Sequence, residues 1–119
     1  MSTSVIRNNN AASTENITNN ITWDSTITQA QSTAVKAGNI IMMMFSANRT
    51  GSTTKWLLAT IPGEYAPPTD RWTGSCSDSA GSMRFVRIEN ESDVYKVYVV
   101  PGNTSISYAQ GSIAWPIGY

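Results

Sequence analysis

Residues 83–100 read MRFVRIENESDVYKVYVV, and this stretch decides the fold class. Its two arms, Met83 to Glu89 and Asp93 to Val100, are rich in β-branched and aromatic residues that suit a pleated, half-buried surface. Asn90-Glu91-Ser92 between them carries turn-forming side chains. In the second arm Val94, Lys96, Tyr98 and Val100 share one face, and Tyr95, Val97 and Val99 the other. That is the period of two expected of a strand, so the stretch predicts an antiparallel hairpin. Arg84 and Arg87, three positions apart in the first arm, fall on opposite faces.

Working outward, the same grammar repeats. Downstream, Pro101-Gly102-Asn103 marks a turn, and Ser105 to Tyr108 and Ser112 to Trp115 read as two closing strands. Upstream, Thr69 to Cys76 predicts a strand and Asp78 to Ser82 a turn. Lys55 to Ile61 predicts another strand, ended by Pro62-Gly63 and by Pro67-Pro68, which cannot continue a ladder. Ile21, Trp23, Ser25, Ile27 and Gln29 alternate with polar residues as a half-buried strand would. No segment offers ten residues at helical spacing between breakers. Seven to nine short strands predict an all-β, antiparallel β-sandwich of jelly-roll type over residues 21–119. Residues 1–20, poor in apolar side chains, read as a lead-in or docking segment.

Ile40-Ile41-Met42-Met43-Met44-Phe45 breaks the pattern because it does not alternate. A strand that is apolar on both faces needs cover on both. Either a loop of the same chain or a neighbouring subunit supplies the second cover. In the second case Met43→Asp is expected to break the assembly.

Composition removes several functions. Of 119 residues only 13% are charged, and eight basic side chains balance eight acidic ones, which is unlike the concentrated positive field of a nucleic-acid binder. With no histidine and one cysteine, Cys76, the usual zinc ligands, the usual general base and any intrachain disulfide are missing. No apolar run is long enough to span a bilayer. The expectation is a protein with no cofactor, no metal and no catalytic residues.

Three segments carry a resemblance. Lys36-Ala37-Gly38-Asn39-Ile40-Ile41 resembles a Lys-x-Gly-Asn-Val-Val lead into a long central strand. Trp56 through Pro67 resembles a hydrophobic strand followed by Leu-Pro-x-Gly-Tyr-x-Pro, with Gly63 one place early. Ile113-Ala114-Trp115-Pro116-Ile117-Gly118-Tyr119 resembles an aromatic closing strand. In this order they resemble the C-terminal head domain of bacteriophage tail fibres and receptor-binding proteins. The resemblance implies a homotrimer in the virion, held by other tail or baseplate proteins and docking on bacterial surface polysaccharide. The alternative is a purely structural trimeric tip or decoration protein. A glycosidase would need a convergent carboxylate pair, and Asp70 and Asp78 are not marked out as one.

For ligand contact the sequence singles out Asp70, Arg71 and Trp72, with Arg84 as their neighbour. A flat ring, a carboxylate and a guanidinium within three positions suit a sugar's C–H face and hydroxyls, and Pro67-Pro68 is expected to present them rigidly away from the sheet. The competing reading puts Trp72 in the core or a subunit seam. Trp56, Trp23, Tyr65 and Cys76 are expected to be packing residues.

Overall fold

The computed structural model describes residues 13–25, 28–52, 54–102 and 105–118. Most of the expected lead-in (residues 1–12), Ile27, Asn103 and Tyr119 lie outside the described residues. The remainder is all-β and antiparallel. The strands are β1 Thr14–Asn16, β2 Thr22–Trp23, β3 Thr28–Ala37, β4 Ile40–Ser52 and β5 Trp56–Ile61. They continue as β6 Arg71–Ser77, β7 Met83–Glu91, β8 Val94–Val100 and β9 Ile106–Pro116. Single 3-10 turns occupy Thr18–Asn20 and Gly63–Tyr65.

Hydrogen bonds order the strands β1-β3-β4-β9-β6-β7-β8-β5-β2, which forces the sheet to curl. Its outermost strands, β1 and β2, are separated by only the six peptide steps from Asn16 to Thr22, which reach about 21 Å at full stretch. Edge strands of a flat nine-stranded sheet would stand about 38 Å apart. The crossing segment ties both edges. Ile17 N–H donates to Ala34 O at 2.9 Å and Asp24 N–H to Leu58 O at 3.0 Å. Thr18 Oγ1 accepts the Ala34 N–H at 3.0 Å, satisfying a donor that β1 is too short to reach. Ile17 and Ile21 are buried between the edges, so the ordered fold reaches back past residue 21. This crossing also interrupts the alternating strand expected over residues 21–29: only Thr22–Trp23 pairs with β5, and β3 begins afresh at Thr28.

Contact between the two halves of the sheet is narrow. β6 pairs with β9 only at Cys76↔Gly111 and Ser77↔Gln110, whereas β9 follows β4 from Ile40↔Pro116 to Asn48↔Tyr108. The expected two closing strands are therefore one. Gly111, between the two expected strands, lies inside β9 where the backbones of β9 and β6 meet. The hairpin of residues 83–100 forms with Ser92 and Asp93 at its tip, both at positive φ (56° and 68°). These are the conformations a tight two-residue hairpin turn requires. Asn90 Oδ1 accepts the Asp93 N–H at 2.8 Å and stabilises the turn.

One core fills the inside of the curl. Ile41, Met43, Phe45 and Ala47 of β4 join Trp56, Leu58, Val86, Ile88, Val97, Val99, Ile113 and Trp115. Trp115 Nε1–H donates to Tyr65 O at 2.6 Å, which places Tyr65 at the proline bend as a packing residue. Trp23 is half-buried against the core and donates to Thr18 O at 3.2 Å.

Candidate binding surface

β4 resolves the run that does not alternate. Its odd-numbered residues Ile41, Met43 and Phe45 face the core, while Ile40, Met42 and Met44 point outward and stay 42–46% exposed. No described segment covers that outer face. Register places Ala37 beside Ile40, Val35 beside Met42 and Thr33 beside Met44 on one side. Pro116, Ala114 and Ser112 flank them on the other. The result is a contiguous strip of small and apolar side chains without a charge. Met43, fully buried, is a core residue, so Met43→Asp would test folding and not assembly. Parity within an all-apolar run cannot be read without the strand's neighbours.

At its Met44 end the strip opens into a groove of about 530 Å³. Thr33, Met44, Ser46, Ser77, Gln110 and Ser112 line it, together with Phe45 and Gly111. Ser46, Gln110 and Ser77 are successive cross-strand neighbours on β4, β9 and β6. Tyr108 O–H donates to Gln110 Oε1 at 2.8 Å. Its single proton is thereby used, so the 2.8 Å contact with Ser46 has the serine hydroxyl donating to Tyr108. A directed relay runs Ser46 to Tyr108 to Gln110. The sequence gives no signal for this groove, because its residues are common polar ones on three strands far apart in the chain.

The residues singled out from the sequence lie elsewhere and divide into two places. Arg71 is exposed at the start of β6, opposite Glu89. Asp70 Oδ1 accepts from Asn90 Nδ2 at 3.1 Å and its carbonyl accepts the Asn90 N–H at 2.9 Å. Trp72 turns inward, half-buried against the core, and its Nε1–H donates to Ala114 O at 2.9 Å. It bridges β6 to β9 where the two strands have parted. The proline bend is itself pinned: Gly118 N–H donates to Ala66 O at 2.9 Å, and Gly118 packs on Pro67 and Pro68.

Arg84 is not a neighbour of that group. It pairs across the hairpin with Cys76, five residues or about 17 Å from Arg71 along β6. There it clamps the 78–82 turn, with Nε and Nη2 both 2.9 Å from Asp78 Oδ2 and Nη1 donating to Pro101 O. Asp78 is buried and accepts the Ala80 and Ser82 N–H groups at 2.9 Å. The Ser82 N–H first, and then Arg84, hold its carboxyl below the ordinary aspartate range. Cys76 beside it is buried, and loss of solvation first, then the Asp78 charge, push its thiol up to about 11.

The charged groups on the outer face of β7 and β8 form an ion-pair network. Lys55 Nζ lies 2.7 Å from Glu89 and 4.3 Å above the Tyr98 ring. Lys96 lies 3.3 Å from Glu91, and Arg87 3.5 Å from Glu89. Tyr98 O–H donates to Glu91 at 2.6 Å, and this bond, ahead of Lys96, holds Glu91 below its usual range. Among the described residues no group of three or more His, Cys, Asp or Glu is placed to hold a metal ion.

Comparison with protein-family models, with curated protein sequences and with solved structures finds no match for this chain.

Proposed function

We propose that this chain is a self-associating, non-enzymatic binding domain whose assembled form docks on saccharide, in the manner of a phage tail tip. The observation that carries the reading is the outer face of β4. A continuous row of Ile40, Met42 and Met44, each more than two-fifths exposed and flanked by Val35, Ala37 and Ala114, costs solubility unless a partner covers it. Being free of charge, the strip meets a copy of itself or of an adjoining face without like-charge repulsion. A homotrimer is the assembly proposed, with the Ile40 and Met42 end of this strip in the seam and its Met44 end left open. The resemblance in residues 36–41, 56–67 and 113–119 supplies the setting: a virion tip, other tail or baseplate proteins as partners, and bacterial surface polysaccharide as ligand.

The two-pair junction between β6 and β9 supports reading the curled sheet as a sandwich: two antiparallel layers, β1-β3-β4-β9 and β6-β7-β8-β5-β2, joined at one corner. On such a body a saccharide site of modest affinity suffices, since three copies on one tip multiply its effect. The test is the mass in solution by light scattering, together with binding of the labelled protein to whole bacteria and a bacterial glycan array. A trimer mass and saturable, sugar-competed binding are expected. A monomer at all concentrations, or a trimer that binds no glycan, would remove the first or the second half of the proposal respectively.

A further inference from the structure

We infer that the groove between Met44, Gln110 and Ser77 is the sugar-binding subsite, and that it takes an uncharged sugar unit through two neighbouring hydroxyls. This rests on the saccharide-binding reading above and goes beyond it by naming the site and the ligand's charge.

Four features of the groove converge. Its volume of about 530 Å³ falls within the range of small-ligand sites, roughly 300–1,000 Å³. Its lining holds no ionisable side chain, so no countercharge there would offset the desolvation of a carboxylate or a phosphate. Hydroxyls of Thr33, Ser46, Ser77 and Ser112 surround one amide, and Met44 offers a polarizable apolar wall for a ring's C–H face.

The fourth feature is the direction of the relay. Ser46 spends its proton on Tyr108, and Tyr108 spends its own on Gln110 Oε1. What remains toward a ligand is a pair of opposite character: acceptor lone pairs on Ser46 Oγ and a donor NH₂ on Gln110. Each bond in the chain polarises the next, so both ends gain strength. A sugar diol complements this pair, one hydroxyl donating to Ser46 while its neighbour accepts from Gln110. An anionic sugar places an acceptor-only group where Ser46 can no longer donate.

The experiment is saturation-transfer NMR on the full chain with galactose, glucose, rhamnose and N-acetylglucosamine as neutral probes. N-acetylneuraminic acid and glycerol phosphate serve as anionic ones. Variants Gln110→Ala, Gln110→Glu and Tyr108→Phe are compared at equal melting temperature. At least one neutral probe should bind, and the anionic probes should not. Affinity should fall about tenfold or more in both Gln110 variants and several-fold in Tyr108→Phe, which keeps the ring and breaks the relay. Neutral-sugar binding untouched by Gln110→Ala but lost in Arg71→Ala would overturn the groove and leave the saccharide reading standing. Preference for the anionic probes would overturn the charge assignment. No binding of any probe, or of any glycan on the array, would end both.

Discussion

Gly111 of β9 and Cys76 of β6 approach so closely that a Cβ on Gly111 would lie 2.8 Å from the Cys76 Cβ and 3.0 Å from its Cα. This contact sits at one of the two register pairs of β6 with β9. Backbone and a buried side chain, rather than a flexible tip, occupy the space, so neither yields cheaply. Gly111→Ala is expected to destabilise the fold by about 1–3 kcal/mol as overpacking. Gly63→Ala, with nothing within 4 Å of the new methyl, should leave the melting temperature unchanged or slightly raised. Thermal unfolding of the two variants side by side checks this, and equal melting temperatures would refute it.

Met42 and Met43 are adjacent in sequence and opposite in role. Met43→Asp buries an unpaired carboxylate in the core and should cost at least about 3 kcal/mol, leaving little folded protein. Met42→Asp places the charge on the exposed strip and should leave the monomer folded, within about 1 kcal/mol of the parent, while abolishing the proposed assembly. Circular dichroism and light scattering on the same samples separate the outcomes. An assembled Met42→Asp variant would take the seam off this face.

Trp72 bridges β6 to the Ala114 carbonyl, so it is predicted to matter for stability. Trp72→Ala should lower stability by about 2–4 kcal/mol, somewhat less than for a fully buried ring. Trp72→Phe, which keeps the packing and loses the N–H, should cost about 1 kcal/mol. A Trp72→Ala protein that melts like the parent yet fails to bind cells would instead restore Trp72 as a ligand contact.

Asp78 supplies a pH dependence. Its folded-state pKa is depressed by the Ser82 N–H, the Arg84 guanidinium and the Ala80 N–H, so it contributes stability above the ordinary aspartate value, about 3.9. That contribution is lost as the pH falls through the lower folded value. Melting temperatures from pH 7 to 2 should therefore decline less steeply at the acid end in Asp78→Asn than in the parent. Parallel profiles would show that the clamp adds nothing to acid stability.

The Cys76 thiol, buried and raised to about 11, is almost wholly protonated at pH 8. It should react with a disulfide reagent far more slowly in the native protein than in denaturant, because the thiolate is the nucleophile. Equal rates in the two conditions would mean that the β6–β9 junction opens freely.

Much of this fold was legible in the chain because strands and turns are local. Alternation over residues 94–100 and the Pro62-Gly63 stop depend on residues a few places apart, and so do the packing roles of Trp56 and Leu58. They reappear in the structure at those positions. β3 was not legible: Ala34, Val35 and Ala37 do not alternate with polar residues, and the segment is a strand because β4 lies beside it. Charge balance, absent histidine and a single cysteine were likewise properties of composition that no folding could alter.

Tertiary structure decided everything that depends on which strands are neighbours. Only the pairing of β4 with β3 and β9 tells Met42 from Met43, since an all-apolar run has no parity of its own. The order β4-β9-β6 alone sets Ser46, Gln110 and Ser77 in one row, from positions as far as 64 residues apart in the chain. Arg84 was expected beside Trp72 and lies some distance along the hairpin, because antiparallel pairing carries residues near the turn away from those at its open end. Sequence specifies which segments become strands through short-range periodicity, whereas a surface is made by hydrogen-bonded neighbours that the chain brings together from anywhere along its length.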